Sequence, residues 1–360
     1  MVNLMTKQDI VKLQKQLSEL IGVSGNEEDV SYFIKEIISP LVDKVWIDGL
    51  GNLLAIKEGT NPEAHKIMLD AHMDEVGLII NHVEEDGFLR FGLVGGFDKR
   101  ILLAQAVILK ASDGKRIHGV IGAKPPHLLS ADDLKKPIEE SELYIDAGFT
   151  TDQDAVNNGV NIGTTGVLHD PFVELPNNSI RGRAIDDRLG CNVIIQLLQR
   201  LKDQQLEETL LLSFSVQEEV GGRGAGPSAF TLDPTMALAI ESTTGDNNPH
   251  IKPKERPAEF GKGPSITIMD SSTIASHKIN QRLVKNAKLK NLSYQFKKPR
   301  IGGGTNAGKI HLTKSGIPSG IVSVPCKYLH SPITYANIDD ALGAVDLLEA
   351  FLKNDAKITV

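Results

Sequence analysis

The chain has 360 residues, of which 41% are hydrophobic and 24% charged, a globular make-up with room for two domains or one domain carrying an insertion. Its net charge of -7 and its scattered Lys and Arg argue against a nucleic-acid groove, which needs a basic stripe. The 2 cysteines, Cys191 and Cys326, lie far apart in no CxxC pair, which argues against a disulfide framework and against a cysteine-type zinc site.

Residues 1–7 hold no apolar signal core, and no run approaches the roughly 18 apolar residues of a membrane span, so the expected location is the cytoplasm, with no membrane partner. Ile10, Leu13, Leu17, Leu20 and Ile21 predict a helix over 7–21, broken by Gly22 and Gly25. A second helix follows, with Asn26 as its cap, Glu27 and Glu28 in its first turn, and Val30, Phe33, Ile34, Ile37, Ile38 and Leu41 in one stripe. Residues 45–47 and 53–56, joined by turn-forming residues 48–52, read as a hairpin. A strand at 66–71 then delivers Leu69-Asp70-Ala71-His72-Met73-Asp74-Glu75-Val76-Gly77. In strand geometry His72 and Asp74 share a face, an imidazole able to ligate a metal and a carboxylate able to orient its neighbour. Taken alone, such a pair is more often an ordinary polar strand end.

From 76 to 168 short apolar runs alternate with turns such as Glu85-Asp86-Gly87, Gly95-Gly96 and Asp113-Gly114, and little of it holds a helical period. This predicts a small β-rich unit inserted into an α/β one, with a charged surface segment at 130–141. His82, His118 and His127 lie in it without a partner set and read as surface or structural histidines.

The α/β pattern returns at 182–190, where Asp186 precedes a helix bearing Leu189, Val193, Ile194, Leu197, Leu198 and Leu201. A strand at 209–216 ends at Glu218-Glu219, and one at 236–240 ends at Glu241. A strand at 265–269, a helix at 277–289 and a short strand near 294–296 follow. Gly302-Gly303-Gly304-Thr305-Asn306 makes a tight turn before a helix, and a strand at 321–324 leads to Tyr328-Leu329-His330. The last helix carries Ile338, Leu342, Val345, Leu348 and Leu352 in one stripe.

Open α/β sheets bind ligands beyond the carboxyl ends of their strands. Here those ends offer imidazoles and carboxylates. Each histidine can serve one metal ion, a carboxylate can bridge, and a further carboxylate per ion completes two open sites. If Glu218 and Glu219 keep strand geometry they point to opposite sides, one to ligate and one to act as general base. Each piece also has an ordinary reading. Asp186-Asp187-Arg188 suits a helix cap with a local ion pair, Glu218-Glu219 a solvated strand end, Glu241 a surface acid, and His330 a structural hydrogen-bonder.

Read in order, Ala71-His72-Met73-Asp74-Glu75-Val76-Gly77, Ala184-Ile185-Asp186-Asp187-Arg188, Val216-Gln217-Glu218-Glu219-Val220-Gly221 with Arg223-Gly224-Ala225, Gly303-Gly304-Thr305 and Tyr328-Leu329-His330-Ser331-Pro332 resemble the M42 family of metalloaminopeptidases (glutamyl and deblocking aminopeptidases). The resemblance runs from about residue 8 to the C-terminus. It implies an α/β fold, a mixed-sheet dinuclear metallopeptidase domain over 1–75 and 169–360 with an inserted small β-rich dimerisation domain over 76–168. It implies two divalent metal ions per subunit, Zn2+ or Co2+. His72, Asp186 and Glu241 would hold one, Glu219 and His330 the other, with Asp186 bridging. Glu218 would be the general base for a water between the metals, Asp74 would orient His72, and the turn Gly303-Gly304-Thr305 would border the substrate. The implied activity is release of N-terminal amino acids from short peptides. The implied partner is the chain itself, as homodimers assembled into a homododecamer with enclosed active sites.

Three positions depart from the family pattern: Glu241 where Asp is frequent, Asn306 where Asp usually follows the Thr, and Gly222 where a larger residue is common. The lost charge at 306 is expected to alter recognition of the substrate amine. The alternatives are a related dinuclear deacylase or carboxypeptidase, or a non-catalytic assembly protein on the same scaffold. The long gap between His72 and Asp186 has room for the insertion and favours the aminopeptidase plan, and no expected ligand is lost. With a single Trp there is no aromatic sugar platform to support a cellulase.

Overall fold

A computed structural model describes residues 6–245, 247–299 and 302–360, so most of the N-terminal stretch read above for a signal core lies outside the described residues. Helix α1 (Lys7–Glu19) starts in a capping box. Asp9 N–H donates to the Thr6 hydroxyl, and the Asp9 carboxylate accepts from Thr6 N–H. Contrary to the expectation from sequence, Asn26 does not cap helix α2 (Glu28–Ile38). Its cap residue is Glu27, and the Asn26 amide instead donates to Thr165 Oγ1 at 2.8 Å. Strands β1 (Lys44–Ile47) and β2 (Leu53–Lys57) pair as the antiparallel hairpin, and β3 (Lys66–His72) follows.

The next strands are β4 (Gly77–Val83), β5 (Leu89–Val94), β6 (Ala106–Lys110), β7 (Arg116–Gly122) and β8 (Tyr144–Asp146). After a short helix, α3 (Asp152–Asn157), β9 (Thr165–Leu168) closes them into a barrel of order β4-β5-β8-β7-β6-β9. Closure removes the exposed edges that an isolated small sheet would leave. Leu78, Ile80, Phe91, Val107, Leu109, Ile121 and Ile145 fill it. A second small cluster, Ile21, Val23, Ile108 and Val167, packs the barrel against the segment after α1. The charged stretch at 130–141 is mostly exposed. Helix α3 had no helical period to announce it, being only 6 residues long.

The remaining elements are β10 (Val173–Leu175), β11 (Ser179–Gly182), α4 (Ile185–Arg200), β12 (Thr209–Ser215), α5 (Ala225–Leu232), β13 (Met236–Thr244), β14 (Ser265–Thr267), α6 (His277–Leu289), β15 (Gln295–Lys297), α7 (Ala307–Ile310), β16 (Ser319–Lys327), β17 (Thr334–Asn337) and α8 (Ile338–Lys353). The described residues build one mixed sheet of order β1-β2-β12-β3-β13-β16-β17-β11-β10, with β14 and β15 branching from β16. Strands β12, β3, β13 and β16 run parallel, so their carboxyl ends share one edge. Helices α1, α4, α6 and α8 cover one face, and α5 and α7 the other. The α4 stripe Leu189, Val193, Ile194, Leu197 and Leu198 is fully buried against the sheet, and each such side chain stabilises by roughly 2 kcal/mol relative to exposure. Strands β10 and β11, too short to show alternation, were not read from sequence. β13 runs on to Thr244, so Glu241 lies inside a strand rather than at its end. Among the described residues, no helix is long and apolar enough to cross a membrane.

Candidate metal centre

His72 closes β3 and is buried. Its Nδ1 donates to the Asp74 carbonyl oxygen at 3.0 Å and lies 3.3 Å from Asp74 Oδ1. A carbonyl can only accept, so Nδ1 carries the proton and Nε2 is left as the free ligand atom. That Nε2 faces Asp186 Oδ1 at 3.6 Å, Glu218 Oε2 at 4.0 Å and Glu241 Oε2 at 4.0 Å. Asp74 is fully buried and accepts from Ser24 Oγ at 2.6 Å, Glu218 N–H at 2.9 Å and Glu219 N–H at 3.1 Å. Burial alone would raise its pKa, but the His72 contact and these donors hold the carboxyl below its usual range.

Glu218 and Glu219 do not keep strand geometry, contrary to the sequence expectation. β12 ends at Ser215, and Gln217 turns the chain through the left-handed region at φ 58°. Both carboxylates then face the centre: Glu218 reaches His72, and Glu219 Oε2 lies 3.4 Å from His330 Nε2. Buried Glu27, read from sequence only as a first-turn acid of the second helix, braces this turn by accepting from Gln217 N–H at 3.0 Å. Ala184, Tyr328 and His330 are also left-handed, at φ 52°, 57° and 56°. Such backbone costs about 1 kcal/mol or more per residue, and it gathers here at the entries to Asp186, Glu218 and His330.

Asp186 stands between the imidazoles, with Oδ1 toward His72 and Oδ2 at 3.5 Å from His330 Nε2. Sequence reasoning missed Asp187. Rather than capping α4, it is fully buried with His72 and Glu241, and its Oδ2 has no hydrogen-bond partner among the described residues. Two triads result, His72 with Asp187 and Glu241, and Asp186 with Glu219 and His330, each offering ligand atoms within 4.8 Å of one another. The local ion pair expected of Arg188 goes elsewhere, to Glu75 Oε1 at 2.8 Å.

This donor set fits a pair of divalent ions. The nitrogen–oxygen separations of 3.4 to 4.0 Å are too long for hydrogen bonds. They resemble the roughly 3.4 Å between two ligands that each sit about 2.1 Å from one tetrahedral ion. Electrostatics points the same way. Burial pushes Glu219 up to about 8, Glu218 up to about 7, and Asp187 and Glu241 well above the carboxylate range. Divalent cations at this position would offset that crowding of buried negative charge.

A cavity of about 610 Å³ opens onto the centre, within the usual range for a small-molecule site. The centre lines it together with Gly303, Gly304, Thr305, Lys297 and Lys309. The expected role toward the substrate amine would need Asn306 to line the cavity, and it does not. It is buried beneath, donating its amide to Asp70 Oδ2 at 2.8 Å and its N–H to Glu241 Oε1 at 3.1 Å.

The family model described as M42 glutamyl aminopeptidase matches residues 51–347. An aminopeptidase assigned as such only by inference in Acetivibrio thermocellus is 37% identical over 344 residues, covering 96% of this chain and 98% of that one. An aminopeptidase structure from the archaeon Desulfurococcus kamchatkensis superposes with a TM-score of 0.92 at 36% identity, covering 98% of this chain and 99% of the other. The TET1 peptidase of Pyrococcus horikoshii, described as assembling into a tetrahedron or a large octahedral shell, gives 0.84 at 32% identity, with coverage of 95% and 99%.

Proposed function

The chain belongs to the M42 glutamyl aminopeptidase family, and we propose that it releases N-terminal amino acids from short peptides at a two-ion centre held by the residues above. The observation that carries this reading is the pair of facing triads with Asp186 between the two imidazoles. His72, Glu241 and Asp187 would hold one divalent ion, Glu219 and His330 the other, with Asp186 shared. Bound there, the ions would polarise a scissile carbonyl and make water a better nucleophile at neutral pH. Glu218 is the general base. It takes a proton from the attacking water on a carboxylate oxygen and returns it to the leaving amine. Asp74 works at one remove: it holds the His72 ring and, through two backbone amides, the turn that aims Glu218. The turn Gly303-Gly304-Thr305 shapes the wall against which the peptide lies.

Residues 1–75 and 169–360 act as one catalytic unit in this reading, and 76–168 as the inserted unit through which subunits pair. The shells described for the Pyrococcus horikoshii TET1 peptidase, and the dodecamer described for PhTET1-12s, support a large homo-oligomeric particle, in this reading a homododecamer. The test uses peptides with a free N-terminus and their N-acetylated counterparts. The protein is expected to release the first residue from the former alone, to stop on chelation, and to resume when Zn2+ or Co2+ is restored. Cleavage of the acetylated series, or full activity in excess chelator, would overturn the reading.

A further inference from the structure

Asn306 stands at the cap position of α7, where an asparagine side chain ordinarily accepts from the helix's own N–H groups. It makes no such bond. Its amide donates instead to Asp70 Oδ2 on β3 and to Ser215 Oγ at the end of β12, each at 2.8 Å. Ser215 Oγ in turn donates to Asp70 Oδ2 at 3.2 Å. All three residues are fully buried. Glycine at 222 leaves room for this arrangement. A Cβ there would stand 3.3 Å from Asn306 Oδ1, an oxygen with no hydrogen-bond partner among the described residues.

The backbone of the same residue faces the metal centre. Asn306 N–H donates to Glu241 Oε1 at 3.1 Å, while Glu241 Oε2 lies 4.0 Å from His72 Nε2. The two oxygens are thus divided, one held by the protein and one left to ligate. A glutamate has one more rotatable bond than an aspartate, so a ligand of this length gains more from being fixed beforehand. Hydrogen bonds that orient a ligating carboxylate raise metal affinity, as those to a ligating imidazole do. We propose that Asn306 is a positioning residue for the metal centre. Its side chain, gripped by Asp70 and Ser215, fixes the N–H that holds one oxygen of Glu241, and so sets the affinity for the ion that His72 and Glu241 share. The inference rests on the two-ion reading above and adds to it three residues that are not themselves ligands.

The test starts from Co2+-loaded protein at mildly alkaline pH and withdraws the ions with graded EDTA, following visible absorption and, by elemental analysis, the ions retained. The variants are Asn306→Ala, Asn306→Asp, Ser215→Ala and the exchanged pair Asp70→Asn with Asn306→Asp. In the exchanged pair an amide at 70 donates to a carboxylate at 306, which restores the bond with its direction reversed. In Asn306→Ala and Asn306→Asp one of the two ions is expected to leave at about tenfold lower chelator or less, with the other within about twofold of wild type. The exchanged pair brings the weakened ion back to within about threefold of wild type. Ser215→Ala, the mildest change, moves the same ion by about threefold, and it decides the matter should the substitutions at 306 prevent folding. Variants that release both ions as the wild type does, or that weaken both together, overturn the inference and leave the two-ion reading standing. An exchanged pair as weak as Asn306→Asp overturns it as well. A wild type that holds fewer than two ions overturns the two-ion reading and the inference with it.

Discussion

Asn306 donates its amide to Asp70 Oδ2 and to Ser215 Oγ, each at 2.8 Å, under the strand that ends in His72. Burial holds the Asp70 carboxyl up to about 6 against the pull of its hydrogen bonds. A raised carboxyl contributes stability that is complete below the unfolded value of about 3.9 and is lost as pH rises through 6. Asn306→Asp would set a second carboxylate against it. At low pH the protonated Asp70 can donate to the new oxygen, but above 6 the two charges repel. The variant is expected to lose about 2 kcal/mol near pH 8 and much less near pH 5, read by thermal unfolding at both. A loss that does not change with pH would contradict this. In the sequence, Glu241 and Asn306 stood as two unrelated departures. The structure joins them by a hydrogen bond, and a contact between residues so far apart in the chain leaves no local signal.

Among the elements, α1, α4 and the end of β3 are tied by one buried ion cluster. Arg188, fully buried, donates to Leu17 O at 2.7 Å, Met73 O at 3.1 Å and Glu75 Oε1 at 2.8 Å. Arg183 pairs with the same carboxylate and donates to Ser18 O at 2.7 Å and Leu20 O at 3.0 Å. Ser18 O, near the end of α1, is satisfied this way, and Leu17 O accepts from Arg188 as well as from the Leu20 N–H. Arg188→Met would leave Met73 O without its arginine donor and part of the buried Glu75 charge uncompensated. An expected loss of about 3–5 kcal/mol in urea unfolding follows, and a loss under about 1 kcal/mol would contradict it. The long elements were legible because apolar period alone sets them, as in α1, α6 and α8. The turn after β12 was not. The left-handed Gln217 that swings both glutamates inward is not a glycine, so the sequence gives no sign of it, and strand alternation predicted the wrong facing. Asp187 was missed for a similar reason. A cap reading suits any acid before a helix, and only tertiary packing shows that this one turns toward His72 and Glu241.

At the scale of the whole molecule, the parallel order β12-β3-β13-β16 gathers residues from four distant stretches at one edge. That convergence was readable from the positions of His72, Glu218, Glu219, Glu241 and His330 just at or after apolar runs. The texture change after Val76 likewise foretold β structure, though not its closure into a barrel, which depends on pairings between β4 and β9 and between β6 and β9. The centre so assembled holds far more carboxylate than imidazole, which is why bound cations are central to the account. Its most direct test is Glu218→Gln in the assembled protein, with metal content by elemental analysis and turnover measured on the same sample. Two metal ions per subunit are expected, as in the wild type, with kcat lowered by about a thousandfold or more. A variant that binds both ions and keeps most of its activity would contradict it.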